Sequence, residues 1–308
     1  MKVSLGTWPT PLEHAPRLAA AIGLTDLWLK RDDLGGLGAG GNKTRKLEWT
    51  LGAALAEGAE TVVTTGAPQS NHARLTAAAA ARLGLRAVLV FPGEAGQSRS
   101  GNLALDGLFG ARVVWAGERD RAEVAAELVA ESATTALIPF GGSNALGAQG
   151  YVECGQELKQ QLPEFTTAVV ALGSGGTMAG LVAELGPERV LGVDTGALAD
   201  PVAVVAELAS EVSGRTIAPE ELRVRREQVG AGYPHFTKES AAALTVAART
   251  EGVVLDPIYT GRAMAGLIAA VEDGTLRPGD RPVFVHTGGL PGFFGNADAV
   301  AYAESHLS

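Results

Sequence analysis

Cysteine is nearly absent from this 308-residue sequence, which contains Cys154 and no other cysteine. A single cysteine excludes an internal disulfide framework and any zinc or iron–sulfur cluster built on cysteines. Aromatic residues make up 5% of the chain and the formal net charge is −9, so surfaces for nucleic acid or anionic membranes are not expected. Because no long apolar run and no signal-peptide pattern occur, we expect a soluble cytoplasmic protein without a membrane span.

Short β-branched runs alternate with alanine-rich amphipathic stretches along the chain. Strands are predicted at residues 61–65, 86–91, 112–115, 167–172, 189–193 and 282–285, and helices at 75–82, 124–131, 202–212, 240–249 and 262–271. Continuous apolar strands between helices are typical of mostly parallel sheets that are covered on both faces. The sequence therefore predicts an α/β protein with two sheets, and the Gly/Pro clusters near 92–96, 139–150, 186–201 and 230–234 are interpreted as ordinary loops.

Glycine, with 41 residues, concentrates in four places, and the first of them precedes a helix with two lysines. The segment LGGLGAGGNKTRKLE covers residues 34–48, with Asn42 as the expected N-cap and Lys43 and Lys46 on the first helical turn. Cations oppose the helix dipole there, typically by about 0.3–1 kcal/mol each. Lysine, unlike arginine, can become a neutral amine and form a Schiff base, and a positive helix end lowers its pKa. The alternative is two solvated surface lysines.

The second place is TTGAPQSNHAR, residues 64–74, where a predicted strand ends and a helix begins. Ser70 is a good N-cap, and the free backbone amides after it form an anion site suited to a carboxylate. The alternative is that Ser70 only caps the helix and that His72 is a partly buried polar residue.

The third and fourth places also follow predicted strands. In ALGSGGTMAG, residues 171–180, unsubstituted amides and the hydroxyls of Ser174 and Thr177 can converge on phosphate oxygens. No lysine precedes Thr177, so this is not a Walker loop, and Asp194 keeps a dinucleotide-binding alternative open. The fourth segment is FVHTGGLPG, residues 284–292. Glycine turns at several strand ends are what a cofactor crevice in an α/β sheet requires.

These motifs resemble those of the fold-type II pyridoxal-phosphate enzymes, the tryptophan synthase β-like group, and most of all its D-cysteine desulfhydrases and 1-aminocyclopropane-1-carboxylate (ACC) deaminases. GNKTRKLE, residues 41–48, is similar to their Schiff-base lysine motif, QSNH, residues 69–72, to their substrate-carboxylate loop, and GSGGT, residues 173–177, to their phosphate loop. DPIYTGR, residues 256–262, and HTGG, residues 286–289, complete the set. The motifs follow the family order over nearly the whole chain.

The resemblance implies roles for individual residues toward the cofactor, pyridoxal 5′-phosphate. Lys43 would hold the cofactor as a Schiff base and move the substrate's α-proton, and Asn71 would hydrogen-bond the 3′ oxygen. Tyr259 would stack on the pyridine ring, and Tyr233 and Ser70 would complete the catalytic residues. The phosphate would be held by Gly173, Ser174, Gly175, Gly176 and Thr177, with Lys46 as an additional charge.

The implied substrate contacts are Ser70, Asn71, His72, Thr260 and Thr287, of which Thr287 would also contact the cofactor. The chain departs from the family pattern after Tyr233, where Pro234, His235 and Phe236 replace the usual Gly-hydrophobic-Pro, so the pocket wall there is not predicted. No metal site is implied.

Two threonines separate the relatives within this family. ACC deaminases carry a glutamate where this chain has Thr260 and a leucine where it has Thr287, whereas D-cysteine desulfhydrases carry the two threonines. A carboxylate against the pyridine nitrogen keeps the ring protonated and makes it a deep electron sink, while a hydroxyl leaves it closer to neutral. Because expulsion of a good β leaving group needs no deep sink and opening of a cyclopropane does, β-elimination is favoured, with D-cysteine giving pyruvate, hydrogen sulfide and ammonia.

Four alternatives stay open. L-Cysteate sulfo-lyase would need an extra cation near the leaving group, which the sequence does not place, and ACC deaminase is disfavoured by Thr260 and Thr287. An NAD-dependent oxidoreductase would bind its nicotinamide cofactor at residues 173–176. A non-catalytic amino-acid or cofactor-binding protein is the fourth. The sequence does not decide substrate chirality.

The family resemblance also implies an organisation in two domains, each with a mostly parallel sheet covered by helices. Residues 1–46 and 152–308 would form the larger, cofactor-binding domain, and residues 47–151 the smaller α/β domain, with the active site in the cleft between them. A homodimer that acts on a small amino acid is expected.

Overall fold

The computed structural model describes residues 2–96 and 100–307, in which ten strands form two sheets. The strands are β1 (Leu12–His14), β2 (Trp28–Lys30), β3 (Thr61–Thr65), β4 (Arg86–Phe91), β5 (Arg112–Trp115), β6 (Thr135–Leu137), β7 (Thr167–Leu172), β8 (Val190–Asp194), β9 (Arg223–Arg225) and β10 (Pro282–Val285). The larger sheet has the order β1-β2-β10-β7-β8-β9, and the smaller sheet has the order β5-β4-β3-β6. All neighbours are parallel except β1, which runs antiparallel to β2.

Twelve α-helices cover the two sheets in the described residues. They are α1 (Pro16–Ile22), α2 (Lys43–Ala56), α3 (Asn71–Leu83), α4 (Asn102–Leu108), α5 (Arg121–Ala130), α6 (Ala145–Gln161), α7 (Gly176–Leu185), α8 (Pro201–Ser213), α9 (Lys238–Glu251), α10 (Thr260–Glu272), α11 (Leu290–Phe294) and α12 (Ala297–Glu304). None of these helices is long and apolar enough to cross a membrane. The predicted α/β fold with two mostly parallel sheets is confirmed.

The central strands β7, β8 and β10 are buried at every position because helices pack on both faces of the sheet. All six residues of β7 are buried. Val169 belongs to the core under α9 and α10, whereas Val170 belongs to the core under α6 and α7. In the smaller sheet, Val62 packs with residues of α2 and α3, and Val63 packs with residues of α5. Alternate side chains therefore bury opposite faces, and the continuous apolar run is the consequence.

Each strand and helix predicted from the sequence is present, with ends that differ by a few residues. The predicted strand at 189–193 is β8, and the predicted helix at 75–82 is the later part of α3. The predicted domain boundaries after residues 46 and 151 fall within α2 and α6, and the division into two domains stays a prediction.

Candidate active site

A cavity of about 330 Å³ lies at the carboxyl ends of strands from both sheets. Residues that follow β3, β4, β6, β7, β8 and β10 all contribute to its wall. Eleven of the residues predicted from the sequence line it, namely Lys43, Ser70, Asn71, His72, Gly173, Ser174, Gly175, Thr177, Tyr233, Tyr259 and Thr287. Parallel strands that end together bring these distant segments into one space, as in other α/β sheets.

Lys43 is the first residue of α2, and its amine lies in the cavity. Nζ donates to the Gly141 carbonyl at 3.2 Å and lies 3.5 Å from Ser174 Oγ. Burial lowers the pKa of Lys43 from 10.5 to about 8. The sequence predicted a lowered pKa from the helix end, and the structure adds burial as the main cause. A fraction of this amine is therefore neutral near physiological pH.

Lys46, one turn further along α2, is buried and does not belong to the cavity wall. Its Nζ donates to Ser143 Oγ at 3.0 Å and to the Gly141 carbonyl at 3.4 Å. A Cβ atom added to Gly176 would come within 3.1 Å of Lys46 Nζ, so the amine lies directly behind the glycine loop. Burial and the neighbouring Lys43 charge lower the pKa of Lys46 well below its usual range. The alternative of two solvated surface lysines is wrong for this site.

The glycine loop between β7 and α7 exposes backbone amides to the cavity. Gly175 has φ +89°, a left-handed conformation that favours glycine, and no side chain caps the start of α7. The Gly176 amide donates to Ser143 Oγ at 3.2 Å. Thr177 Oγ1 accepts from Asn42 Nδ2 at 3.0 Å. The Asn42 side chain therefore does not cap α2, as the sequence had suggested, because it is bound to this loop instead.

The turn before α3 provides a second set of backbone donors. Ser70 Oγ accepts from the Ala73 amide at 3.2 Å, so the predicted N-cap is confirmed. The amides of Asn71 and His72 have no intrahelical acceptor at this position. Asn71 Oδ1 accepts from Arg74 Nη2 at 3.0 Å, which fixes the orientation of this amide side chain.

His72 lines the cavity, and a hydrogen bond to Thr64 holds its imidazole ring. Its Nε2 lies 2.8 Å from Thr64 Oγ1, and the residue is 3% exposed. Burial, followed by the Lys43 and Lys46 charges, lowers the pKa of His72 well below its usual range. The imidazole is therefore neutral in the folded protein.

Two tyrosines form another wall. The hydroxyls of Tyr233 and Tyr259 are hydrogen-bonded to each other. A Cβ atom on Gly173 would lie 3.1 Å from the Tyr259 ring, so only glycine leaves room between this ring and the loop. Burial raises the pKa of both phenols, and both keep their protons at neutral pH.

Arg262 anchors the turn that carries Tyr233. Its Nη2 donates to the carbonyls of Gly232 at 2.8 Å and His235 at 2.7 Å. Phe236 packs against the core and meets Tyr302 edge-on at 5.7 Å between ring centroids. Within the departure from the family pattern after Tyr233, Phe236 thus supplies core packing and Pro234 and His235 are exposed, and none of the three lines the cavity.

The two threonines that distinguish the relatives have different positions. Thr287 lines the cavity, and its carbonyl accepts from the Asn42 amide at 3.1 Å. Thr260 is fully buried and does not line it. Its hydroxyl donates to Asp256 Oδ1 at 2.7 Å. The same carboxylate accepts from the backbone amides of Tyr259 and Thr260 at the start of α10. The structure therefore does not support Thr260 as a substrate contact.

The sequence interpretation missed several wall residues. Three of the Gly/Pro clusters taken for ordinary loops contribute wall residues that were missed, namely Pro92, Phe140, Gly141, Gly196 and Ala197. These residues follow β4, β6 and β8, so the rule that ligands bind at the carboxyl ends of parallel strands already pointed to them. Ser143, whose Oγ lies 2.8 Å from Ser174 Oγ, and Arg121 had no signal of their own.

Comparisons with known proteins agree with this geometry. The family described as pyridoxal-phosphate dependent enzymes matches residues 3–288. A D-cysteine desulfhydrase of Yersinia enterocolitica is 39% identical over 92% of this chain and 92% of its own length. A putative 1-aminocyclopropane-1-carboxylate deaminase of Pyrococcus abyssi is 40% identical over 95% of this chain and 93% of its own.

Solved structures show the same similarity. The crystal structure of an ACC deaminase homologue superimposes with a TM-score of 0.87 at 37% identity, covering 98% of this chain and 96% of the other. A threonine deaminase of Solanum lycopersicum, at 19% identity and a TM-score of 0.68, covers 97% of this chain and 88% of its own and shares the fold.

Proposed function

This chain belongs to the pyridoxal-phosphate-dependent enzyme family, as a lyase of the group that holds D-cysteine desulfhydrases and ACC deaminases, and we propose that it catalyses β-elimination on a sulfur-containing amino acid. The proposed substrate is D-cysteine, and the products are pyruvate, hydrogen sulfide and ammonia. A homodimer and a cytoplasmic location belong to the same proposal.

One observation carries the choice of reaction: no carboxylate side chain lines the cavity in the described part of the chain. The wall offers the Thr287 hydroxyl, and the nearby Asp256 carboxylate is occupied by amides and by Thr260. Without an acid that holds a proton at a ring nitrogen, these residues favour a reaction that stores little charge in the ring. Loss of a thiolate from Cβ is such a reaction, whereas opening a cyclopropane is not.

The residues of the cavity fit the cofactor. The glycine loop is a cradle that a Cβ atom would fill, since an added Cβ on Gly173 would meet the Tyr259 ring at 3.1 Å. The uncapped start of α7 and the hydroxyls of Ser174 and Thr177 would hold the phosphate, with the Lys46 charge behind the loop. Lys43 Nζ would be the point of covalent attachment, and Asn71 and the Tyr259 ring would contact the pyridine. When bound, pyridoxal phosphate supplies an aldehyde for amines and a conjugated ring that withdraws electrons from Cα.

The turn at Ser70 would bind and orient the substrate. The substrate carboxylate would bind the Ser70 hydroxyl and the free amides of Asn71 and His72, where the helix dipole favours an anion. Neutral His72 adds no charge to this subsite, so affinity here depends on backbone donors. The carboxylate fixes the α-carbon relative to Lys43, and the faces of Tyr233 and Tyr259 decide which hydrogen points to the amine.

Lys43 and the tyrosines would move protons at stated atoms. A neutral Lys43 Nζ, with its pKa lowered to about 8, accepts the proton from Cα. The coupled hydroxyls of Tyr233 and Tyr259 keep their protons, so they can donate hydrogen bonds to a developing negative charge. The buried walls exclude water from this transfer.

A substrate comparison tests the proposed reaction. Purified enzyme loaded with cofactor is assayed with D-cysteine, L-cysteine, L-cysteate and ACC, and sulfide, sulfite and keto acids are measured. We expect pyruvate and sulfide from D-cysteine to form faster than 2-oxobutanoate from ACC. The opposite ranking would overturn the argument from the cavity wall.

A further inference from the structure

Arg121 brings a second positive charge to the cavity wall beside Lys43. It is the first residue of α5, and its Nη1 donates to the Gly66 carbonyl at 3.2 Å. The guanidinium also lies 5.1 Å from the centroid of the Phe140 ring. In the described residues, no carboxylate lies within ion-pair distance of Arg121, which leaves this cation without an anion from the chain.

Two contacts, with Gly66 and Phe140, and an electrostatic effect on Tyr233 locate the guanidinium relative to the candidate reaction centre. Gly66 is packed against Ser70, because a Cβ atom on Gly66 would lie 2.9 Å from both Cβ and Oγ of Ser70. Phe140 directly precedes Gly141, whose carbonyl accepts from Lys43 Nζ. The Arg121 charge also acts on the Tyr233 phenol, where it opposes the rise in pKa that burial causes. Arg121 therefore lies between the turn that would bind the carboxylate, the lysine and the tyrosine pair.

A purely structural role does not explain this placement. At the first position of α5 a positive charge opposes the helix dipole, and Asp120 already caps the helix start with bonds to two amides. Phe140 offers only a weak cation–π contact to a partly exposed group. A guanidinium that lines a cavity and has no anion is suited to an anionic group of a ligand.

We propose that Arg121 binds the sulfur group on Cβ of the substrate: it selects an anionic sulfonate and stabilises the negative charge on the leaving group, which is sulfite from a sulfonate or hydrosulfide from a thiol. The inference rests on the proposed β-elimination. In that step the Cα proton goes to Lys43 Nζ, and the electron pair of the Cα–H bond forms the Cα=Cβ bond. The pair of the Cβ–S bond departs with sulfur, so that negative charge accumulates on the leaving group beside the guanidinium.

The test compares substrates that differ in the charge of the β-substituent. Cysteate carries an anion on Cβ, whereas β-chloroalanine does not, and each is measured in the enantiomer that the loaded wild-type enzyme accepts. We expect Arg121→Gln to lower kcat/KM for cysteate about tenfold or more, and that for β-chloroalanine less than about twofold. Arg121→Lys should restore part of the loss, since it returns the charge without the planar fork.

A ligand that cannot react separates binding from turnover. Aspartate has an anionic β-substituent without a leaving group, and alanine has none, so their dissociation constants are followed by the cofactor absorbance. Arg121→Gln should weaken aspartate and leave alanine unchanged. Arg119→Gln is the matched control, because Arg119 lies two residues away, is exposed and pairs with Glu127 outside the cavity.

The outcomes are distinct. An equal loss for all substrates would mean that Arg121 binds the shared α-carboxylate, and no loss would mean that it binds no substrate group; either result overturns the inference and leaves β-elimination intact. If the wild-type enzyme eliminates neither these β-substituents nor sulfide from D-cysteine, the proposed function itself fails.

Discussion

Neighbouring residues of helix α2 carry positive charges whose surroundings are opposite. Arg45 is buried in a network of carboxylates, with bonds of 2.9 Å to Asp32 and 2.8 Å to Glu157, and Lys30 and Tyr151 complete it. Lys43 and Lys46 face the other way, toward carbonyls and hydroxyls, and in the described residues no carboxylate pairs with either.

The difference shows in the acid–base properties of the two groups. Burial alone would raise the pKa of Asp32, but the Arg45 charge and its hydrogen bonds outweigh burial and lower it. The pKa of Lys43 falls because nothing opposes its desolvation apart from a hydrogen bond. Arg45, which is paired with carboxylates, stays charged. Lys43 and Lys46, which are unpaired, can lose a proton or receive an anionic ligand. A single helix start therefore separates a structural charge network from a reactive one.

The largest effect is expected for the unpaired lysine in the cavity. Lys43→Ala should reduce turnover roughly 10³-fold or more, because it removes both the proposed attachment point and the proposed proton acceptor. Borohydride reduction followed by peptide mass analysis should label the peptide with Lys43 in the wild type. Lys238→Ala, an exposed lysine at the start of α9, is the control and should keep full activity. A pyridoxyl mass on Lys46 would contradict the assignment.

Among the charges of α2, the ion pairs of Arg45 should contribute most to the free energy of unfolding. Arg45→Met leaves the buried Asp32 and the partly buried Glu157 without their Arg45 partner, which should lower the free energy of unfolding by about 3–5 kcal/mol. Urea unfolding of the loaded and cofactor-free protein measures this loss. A change below about 1 kcal/mol would show that Lys30 and water compensate the carboxylates, and that the network is not needed for stability.

The pKa of Lys43 makes covalent attachment of the cofactor depend on pH. Since only the neutral amine attacks an aldehyde, the rate of attachment should rise about tenfold per pH unit below pH 8 and level off above it. A midpoint near 10.5 would mean that Lys43 is solvated.

The same shift predicts the sign of a stability change. The folded pKa of about 8 is below the ordinary value of 10.5, so the unfolded chain binds more protons between these values. The stability of the cofactor-free protein should therefore rise with pH across this window, and Lys43→Ala should remove that slope.

The smallest effect is expected for Lys46. Lys46→Met replaces a buried amine of lowered pKa that has only a hydroxyl and a carbonyl as partners, so the free energy of unfolding should change by about 1 kcal/mol or less. The replacement matches that of Arg45 in the same turn of α2. If Lys46→Met and Arg45→Met lower the free energy of unfolding equally, pairing with carboxylates does not distinguish the two sides of the helix.

The resemblance of short motifs led to most of the site, but two residues show where local sequence fails. Thr260 directly follows Tyr259, which lines the cavity, yet the Thr260 hydroxyl donates to Asp256 and Thr260 does not line the cavity. Arg121 lies 55 residues from Gly66 in sequence, and only the docking of α5 on the smaller sheet brings them together. A motif records neighbours along the chain, whereas these side chains are directed by partners from other segments.

The sequence by itself determined the α/β class and six of the ten strands in the described residues, because apolar runs and glycine turns are set by local backbone and burial requirements. It also determined which residue types could do the chemistry at Lys43, Ser70 and the loop at residues 173–177. Only the tertiary structure decided which cations have an anion and which do not, since the carboxylates that pair with Arg45 lie 13 and 112 residues away along the chain. Charge compensation depends on distance in space, and the folded chain alone defines it.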